Sequence, residues 1–239
     1  MENFQGLENT NLPMNVASAV RALQSLANPR NVAGMARFGI NTAGTLGVSI
    51  PALRKMAKGI GTDHSLALAL WKTGVHEARL LAGFIGDPPA LTDRQMESWV
   101  RDFDSWDICD QVCSNLFDRT PVAHQKARAW SRREEEYVKR AGFVLMAALS
   151  VHDKAAADAA FLKFLPIIKR ESTDERNFVK KAVNWALRQI GKRNRKLNAA
   201  AIRTAKDIQK LDSRSARWIA ADALRELRSE SVKKRLKKE

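Results

Sequence analysis

The feature that most restricts the fold is the spacing of apolar residues, which recur every three or four positions along nearly the whole chain. That spacing puts them on one side of an α-helix. The clearest runs are Val16, Ala19, Val20, Leu23 and Leu26, and later Val179, Ala182, Val183, Ala186 and Ile190. Strand-like alternation between turns is missing, and the glycine-containing segment 38–47 is short enough to be a loop. The sequence therefore predicts an all-α fold.

Proline and turn residues cut this pattern into short segments. They fall at 28–29, 49–51, 61–63, 87–89, 120–121 and 165–166. About twelve helices of roughly 10 to 17 residues are expected between them. Since no long linker separates the segments, we predict one domain over residues 1–239, with frayed ends at 1–14 and 229–239.

The helical segments also suggest repeats. Second helices of successive hairpins are expected to begin near Ala67, Ser105, Glu136 and Glu175. A period of roughly 35 to 45 residues is typical of HEAT-like repeats, which stack into a curved α-solenoid with a concave surface. A globular helical bundle is the alternative.

Charge is concentrated at one end. The chain has 41 Lys+Arg against 26 Asp+Glu, a formal net charge of +15, and residues 169–239 alone contribute +13. Such a surface attracts phosphates and gains from counterion release, so we predict a concave basic groove that binds nucleic acid; a solvated charged face is the alternative. The candidate DNA-binding residues are Lys181, Arg188, Lys192, Arg193 and Arg195.

Several other classes of protein are excluded or disfavoured. No stretch reaches the roughly 18 apolar residues of a membrane span, and the start has no signal-peptide pattern, so we expect a cytoplasmic protein. The two cysteines, Cys109 and Cys113, support neither a disulfide framework nor a zinc site. The four histidines lack metal-ligand spacing and no nucleotide-binding motif is present, so neither metal nor cofactor is expected.

Trp185 breaks the helical pattern of its segment. It falls outside the apolar stripe of residues 175–192 and shares its face with Lys181, Arg188 and Lys192. An indole among cations is suited to stacking on or pressing against a nucleotide. A tryptophan that fills a gap between neighbouring helices is the alternative.

Trp106 and Asp110 form a second anomaly. They lie four residues apart in a helix that begins near Asp104 or Ser105, and therefore share one face. A carboxylate on such a semi-apolar strip is costly to desolvate unless a donor or a cation meets it, and this placement is common at functional sites. An inter-helix salt bridge or a helix cap would explain it equally well.

Arg140 is the last charged residue before the apolar run 141–149, near the expected exposed start of a helix. It could clamp a phosphate or pair with a carboxylate such as Asp110. In a repeat array, side chains from successive second helices point into one groove. Trp106, Asp110, Arg140 and Trp185 would then form a cluster.

Five segments, in this order, resemble those of a known family. They are FGI (38–40), VSIPALR (48–54), SWDICD (105–110), YVKRA (137–141) and FVKKAVNWALR (178–188). Over about residues 15–230 the chain resembles the HEAT-like-repeat DNA alkylation repair glycosylases, the AlkD-like family. The tryptophan and two aspartates of 106–110, followed by segment 178–188, are the specific part.

The resemblance implies a monofunctional DNA glycosylase that acts as a monomer on double-stranded DNA. It would hydrolyse the N-glycosidic bond of cationic alkylated purines such as 3-methyladenine and 7-methylguanine, without metal and without flipping the base. Asp110 matches the catalytic carboxylate, Trp106 and Trp185 the indoles that contact the deoxyribose, and Arg140 the arginine of the same cleft. The protein would be nucleoid-associated when bound to DNA.

Two segments depart from the family pattern: the glycine-rich run 41–48 and the insertion-like run 152–160. Some relatives keep the scaffold without the catalytic set. A non-catalytic HEAT-like scaffold that recognises damaged or branched DNA is therefore the alternative function.

Overall fold

The computed structural model describes residues 14–237. Within this range the chain consists of α-helices and one short 3₁₀ helix, with no strand. The helices are α1 (Val16–Ser25), α2 (Pro29–Arg37), α3 (Ile50–Ile60), α4 (His64–Trp71), α5 (His76–Ile85), α6 (Asp93–Arg101), α7 (Trp106–Asn115), α8 (Ala123–Trp130), α9 (Glu136–His152), α10 (Asp158–Leu162), α11 (Leu165–Glu171), α12 (Asn177–Gly191), α13 (Arg195–Gln209), α14 (Arg214–Leu227) and α15 (Glu230–Lys237), with the 3₁₀ helix at Phe117–Arg119. The prediction of an all-α fold is confirmed.

The helices stack as pairs. Helices α3, α5, α7, α9, α12 and α14 each pack on the next in that order, and we call this row the inner layer. Four further helices pack on the other side of this row, and we call them the outer helices. Of these, α4 packs on α5, α8 on α9, α11 on α12 and α13 on α14. Successive pairs that bury a continuous core between two layers are the defining property of HEAT-like repeats, so the predicted α-solenoid is confirmed.

Helix α9 shows why the pairs stack. Its run 141–149 is apolar on all sides, and every residue of that run is buried. Because α8 packs on one side and α7 and α12 on the others, a helix without a polar face is stable at this position.

Three of the four predicted second helices begin where expected, within two residues of Ser105, Glu136 and Glu175. The one predicted near Ala67 is wrong, because Ala67 lies inside the outer helix α4 and the inner helix begins at His76. Gly74, with φ at +71°, makes the turn between them. The described residues also hold more and shorter helices than predicted, down to five residues in α10.

The C-terminal segment differs from its prediction. Residues 230–237 form α15, with Val232 and Leu236 buried, and the Leu236 carbonyl accepts a hydrogen bond from Arg195 Nε at 2.9 Å. The prediction of a frayed end is therefore wrong as far as residue 237. Residues 1–13 and 238–239, which share that prediction, lie outside the described residues.

No helix in the described part of the chain combines the length and the apolar character that crossing a membrane requires.

The loop between α2 and α3 is held by one buried carboxylate. Glu77, fully buried on α5, accepts hydrogen bonds from the backbone N–H groups of Leu46, Gly47 and Val48 at 2.8, 2.6 and 3.2 Å. At Gly47 φ is +78°, and a Cβ there would lie 2.3 Å from the Asn28 carbonyl oxygen. The loop is therefore fixed on the inner layer, and only glycine fits at position 47.

We expect Gly47→Ala to destabilise the protein by at least about 1–3 kcal/mol, because the side chain adds left-handed strain and a collision with the backbone of Asn28. Gly59→Ala is the matched control. A Cβ at Gly59, inside α3, meets nothing within 4 Å and should stabilise by roughly 0.5–1 kcal/mol. Urea unfolding of both variants measures the difference; equal stabilities would contradict the role of Gly47.

Candidate active site

The loop that precedes α3 reaches the start of α7 and orients Trp106. The Trp106 indole Nε1 donates to the Phe38 carbonyl at 3.0 Å. Next to it, Asn41 donates through Nδ2 to Asp104 at 2.8 Å and through its backbone N–H to Ser105 Oγ at 3.3 Å. These contacts fix the tryptophan in a half-buried position at the edge of the inner layer.

Helix α7 presents Asp110 one turn after Trp106. Ser105 is its N-cap residue, and Ile108 and Val112 are buried on its core face. Asp110 lies on the other face with a side chain 16% exposed. The four-residue spacing thus puts the indole and the carboxylate on the same face, as predicted.

Asp110 is bound by Arg140 of α9. Arg140 Nε donates to Oδ1 at 2.9 Å and Nη2 to Oδ2 at 2.8 Å, while Nη1 donates to the Phe178 carbonyl of α12 at 2.5 Å. Arg140 therefore joins three successive inner helices. It was expected near an exposed helix start, but it is only 6% exposed, because α7 and α12 cover α9 from both sides.

The pair is electrically neutral and largely removed from water. Burial raises the pKa of the Asp110 carboxyl, and the Arg140 charge and hydrogen bonds oppose that shift. Burial works against the charge on Arg140, but the Asp110 carboxylate outweighs it and raises the pKa of the guanidinium. Since both Asp110 oxygens accept hydrogen bonds from the guanidinium, the carboxyl is ionised in this arrangement.

Aromatic residues that the sequence did not single out complete the surroundings. Phe178 stacks on Tyr137 with ring centroids 5.8 Å apart. A Cβ on Gly39 would lie 2.7 Å from the Phe178 ring, and φ is +71° at Gly39. Phe38, 71% exposed, stands at the rim beside Trp106. Phe38, Tyr137 and Phe178 were not predicted as site residues, but each of them opens one of the segments that carry the family resemblance.

Trp185 lies on α12, about two turns after Phe178. It is half-buried and packs against the hydrophobic core. Of the four predicted site residues, Asp110 and Arg140 are in direct contact, Trp106 lies one turn from Asp110, and Trp185 lies on the neighbouring inner helix. Both interpretations of Trp185, nucleotide contact and gap filling, are compatible with a ring that is only partly covered.

The five predicted DNA-binding residues differ in their surroundings. Lys181 is exposed and forms no salt bridge with any residue from 14 to 237. Arg188 and Lys192 are both within 2.6 Å of the Glu226 carboxylate on α14. Arg193 donates to the backbone carbonyls of residues 150, 154 and 156, and Arg195 to that of residue 236.

Three of the four histidines, His76, His124 and His152, pair with carboxylates. His76 Nε2 lies 2.8 Å from Asp107 Oδ2, so the Asp107 carboxylate is directed to α5. Burial disfavours the charged imidazole, but the Asp107 contact raises the pKa of His76 on balance. His124 is similarly placed against Asp153. In residues 14–237 no three His, Cys, Asp or Glu side chains are grouped to hold a metal ion.

Comparison with known proteins supplies a family. A solved structure matches with a TM-score of 0.74 and 21% identity over 89% of this chain and 95% of the other; it is described as belonging to a new family of proteins related to the HEAT-like repeat DNA glycosylases with affinity for branched DNA structures. No curated protein matches. The family model for DNA alkylation repair enzymes matches residues 19–227. The chain therefore belongs to the family of DNA alkylation repair enzymes.

Proposed function

We propose that this protein is a monofunctional DNA glycosylase that releases cationic alkylated purines, such as 3-methyladenine and 7-methylguanine, from duplex DNA. The observation that carries the proposal is the ionised carboxylate of Asp110, held by Arg140 on the same helix face as a half-buried tryptophan. Family membership supplies the substrate class. We further propose that it acts as a monomer in the cytoplasm, on the nucleoid when bound to DNA.

The chemistry follows from the charge of the substrate. An alkylated purine is already a cation, so its bond to C1′ of the deoxyribose breaks with the electron pair leaving on a neutral base. The positive charge that remains develops on the sugar. A carboxylate and electron-rich indole faces stabilise such a charge, which gives Asp110, Trp106 and Trp185 their proposed roles.

Water completes the hydrolysis. Its oxygen forms the new bond to C1′, and its proton passes to solvent, so that the products are an abasic site and a free base. Asp110 is placed to orient this water, as carboxylates do in glycoside hydrolysis. Arg140 occupies both carboxylate oxygens with N–H donors and so fixes the direction in which the remaining lone pairs point.

We further propose that the lesion is hydrolysed without base flipping, as the family resemblance implies. A lesion that stays in the duplex needs no pocket to receive an extruded nucleotide, only an accessible carboxylate edge.

A scaffold without chemistry is the second candidate. The structurally similar protein has affinity for branched DNA structures, and it shares the fold over most of both chains. Such a scaffold would need the inner layer to bind DNA, but it would not need Asp110. Base release therefore separates the two functions.

We expect Asp110→Asn to lower the excision of 7-methylguanine from methylated duplex DNA by roughly 100- to 1,000-fold, because the substitution removes the charge that stabilises the sugar cation. DNA affinity should be retained, since an amide of the same shape stays in place. Single-turnover release of the base and a binding titration measure the two effects.

Asp222→Asn is the matched control. Its side chain is also 16% exposed and also binds an arginine of a neighbouring inner helix, Arg188. We expect it to keep wild-type excision. Equal activity of wild type and Asp110→Asn would reject the role of Asp110, and DNA binding without any base release by the wild type would favour the scaffold.

Excision should rise as the pH increases through the pKa of Asp110, which burial places above the ordinary 3.8, because only the carboxylate is active. Arg140 stays charged throughout, since Asp110 raises its pKa. The measurement is the rate of base release against pH, corrected for spontaneous depurination. An acid limb that persists unchanged in Asp110→Asn would assign it to another group.

A further inference from the structure

A cluster of cations lies outside the basic C-terminal third, at the C-terminal ends of α3 and α7. Arg54 and Lys58 of α3 and Arg119 of the 3₁₀ helix line a solvent-open depression of about 370 Å³, together with Phe84 and Asn115. None of the residues that line it is acidic. None of these cations is among the DNA-binding residues predicted from the sequence, because residues 1–168 have a nearly balanced charge.

Neutral groups hold Arg54 in place. Its Nη2 donates to Gln111 Oε1 at 3.2 Å, and Nη1 and Nη2 both donate to Asn115 Oδ1 at 3.3 and 3.2 Å. The guanidinium also lies 4.6 Å from the centre of the Phe84 ring. Amide oxygens and a phenyl ring orient the side chain without cancelling its charge.

The other two cations also lack a salt bridge. Neither Lys58 nor Arg119 forms one with any residue between 14 and 237. The Arg119 charge acts on Asp118, its neighbour in sequence, but Asp118 is buried and directs Oδ2 to His152. By contrast, Arg188 and Lys192 share the carboxylate of Glu226. A phosphate must compete with that carboxylate on α12, but it meets no acidic competitor in the depression.

The depression adjoins the candidate active site along α7. Asn115 follows Asp110 by five residues, which corresponds to a rise of about 7.5 Å along the helix. Phosphates of one DNA strand advance by about 3.4 Å per nucleotide along the duplex axis. A strand bound along α7 would therefore reach the depression within a few nucleotides of the lesion.

We propose that Arg54, Lys58 and Arg119 form a binding site for DNA backbone phosphates that flank the lesion. The inference rests on the proposed binding of duplex DNA, and it deepens that function by locating where the strand is held. The site takes phosphodiester groups of any sequence, because the cluster offers only charge and N–H donors.

The test replaces all three cations: Arg54→Gln, Lys58→Gln and Arg119→Gln. We expect weaker binding to duplex DNA and a salt dependence whose slope, log K against log [salt], is smaller in magnitude by about 2 to 3. The matched control is Lys163→Gln, Arg203→Gln and Lys206→Gln, which removes the same charge from exposed cations that also form no salt bridge with any residue between 14 and 237.

The outcomes separate the two proposals. An unchanged slope in the first variant, or an equal decrease in the control, would overturn the phosphate site while leaving the glycosylase function standing. A decreased slope without base release by the wild type would support the phosphate site and reject the glycosylase. Absence of DNA binding by the wild type would reject both.

Cross-linking provides a second measurement that does not depend on charge. Cys109 and Cys113 are the only cysteines of the chain and both are fully buried, so Lys58→Cys introduces the one accessible thiol. We expect it to form a disulfide with thiol-tethered phosphates within a few nucleotides of a 7-methylguanine, and Lys163→Cys to form none. Equal cross-linking of both variants would contradict the site.

Discussion

The site depends on one interaction, the contact of Arg140 with both oxygens of Asp110 and with the backbone of Phe178. It fixes the relative positions of α7, α9 and α12, and these three helices carry all four predicted site residues. Burying two charges is expensive, and a buried ion pair often adds less stability than apolar residues of the same volume would. The pair is thus better explained by what it positions than by what it stabilises.

Pairing also limits how the carboxylate can act. A guanidinium so close reduces the negative potential that Asp110 projects into the groove, so an electrostatic role alone would be weakened. The Asp110 side chain is nevertheless 16% exposed, whereas that of Arg140 is 7% exposed. The carboxylate is therefore the more accessible member of the neutral pair, which is what the proposed contact with a sugar cation or a polarised water requires.

The local features of the site could be predicted because they depend on helical spacing. The shared face of Trp106 and Asp110 follows from a four-residue separation, and Arg140 was already a possible partner of Asp110.

The features that could not be predicted depend on tertiary contacts. Nothing in the sequence indicates that Glu77 holds the loop 46–48, that Phe38 receives the Trp106 indole through its carbonyl, or that Arg140 is buried rather than exposed. For the same reason the sequence of residues 230–237 predicts a frayed basic end, although the segment forms a helix in which Val232 and Leu236 are buried.

The availability of the positive charges also could not be predicted from the sequence alone. A count over the sequence places +13 in residues 169–239, but Arg188 and Lys192 are matched to Glu226, and Arg193 and Arg195 donate to backbone carbonyls. A cation that is paired with a fixed carboxylate contributes little to phosphate binding unless that salt bridge breaks. Breaking it costs part of the free energy that the phosphate contact contributes. Arg54, held by amides and a phenyl ring, keeps its charge and its orientation together. Which cations remain available to a phosphate is thus decided by which of them lack a salt bridge, and that property belongs to the packing of helices rather than to composition.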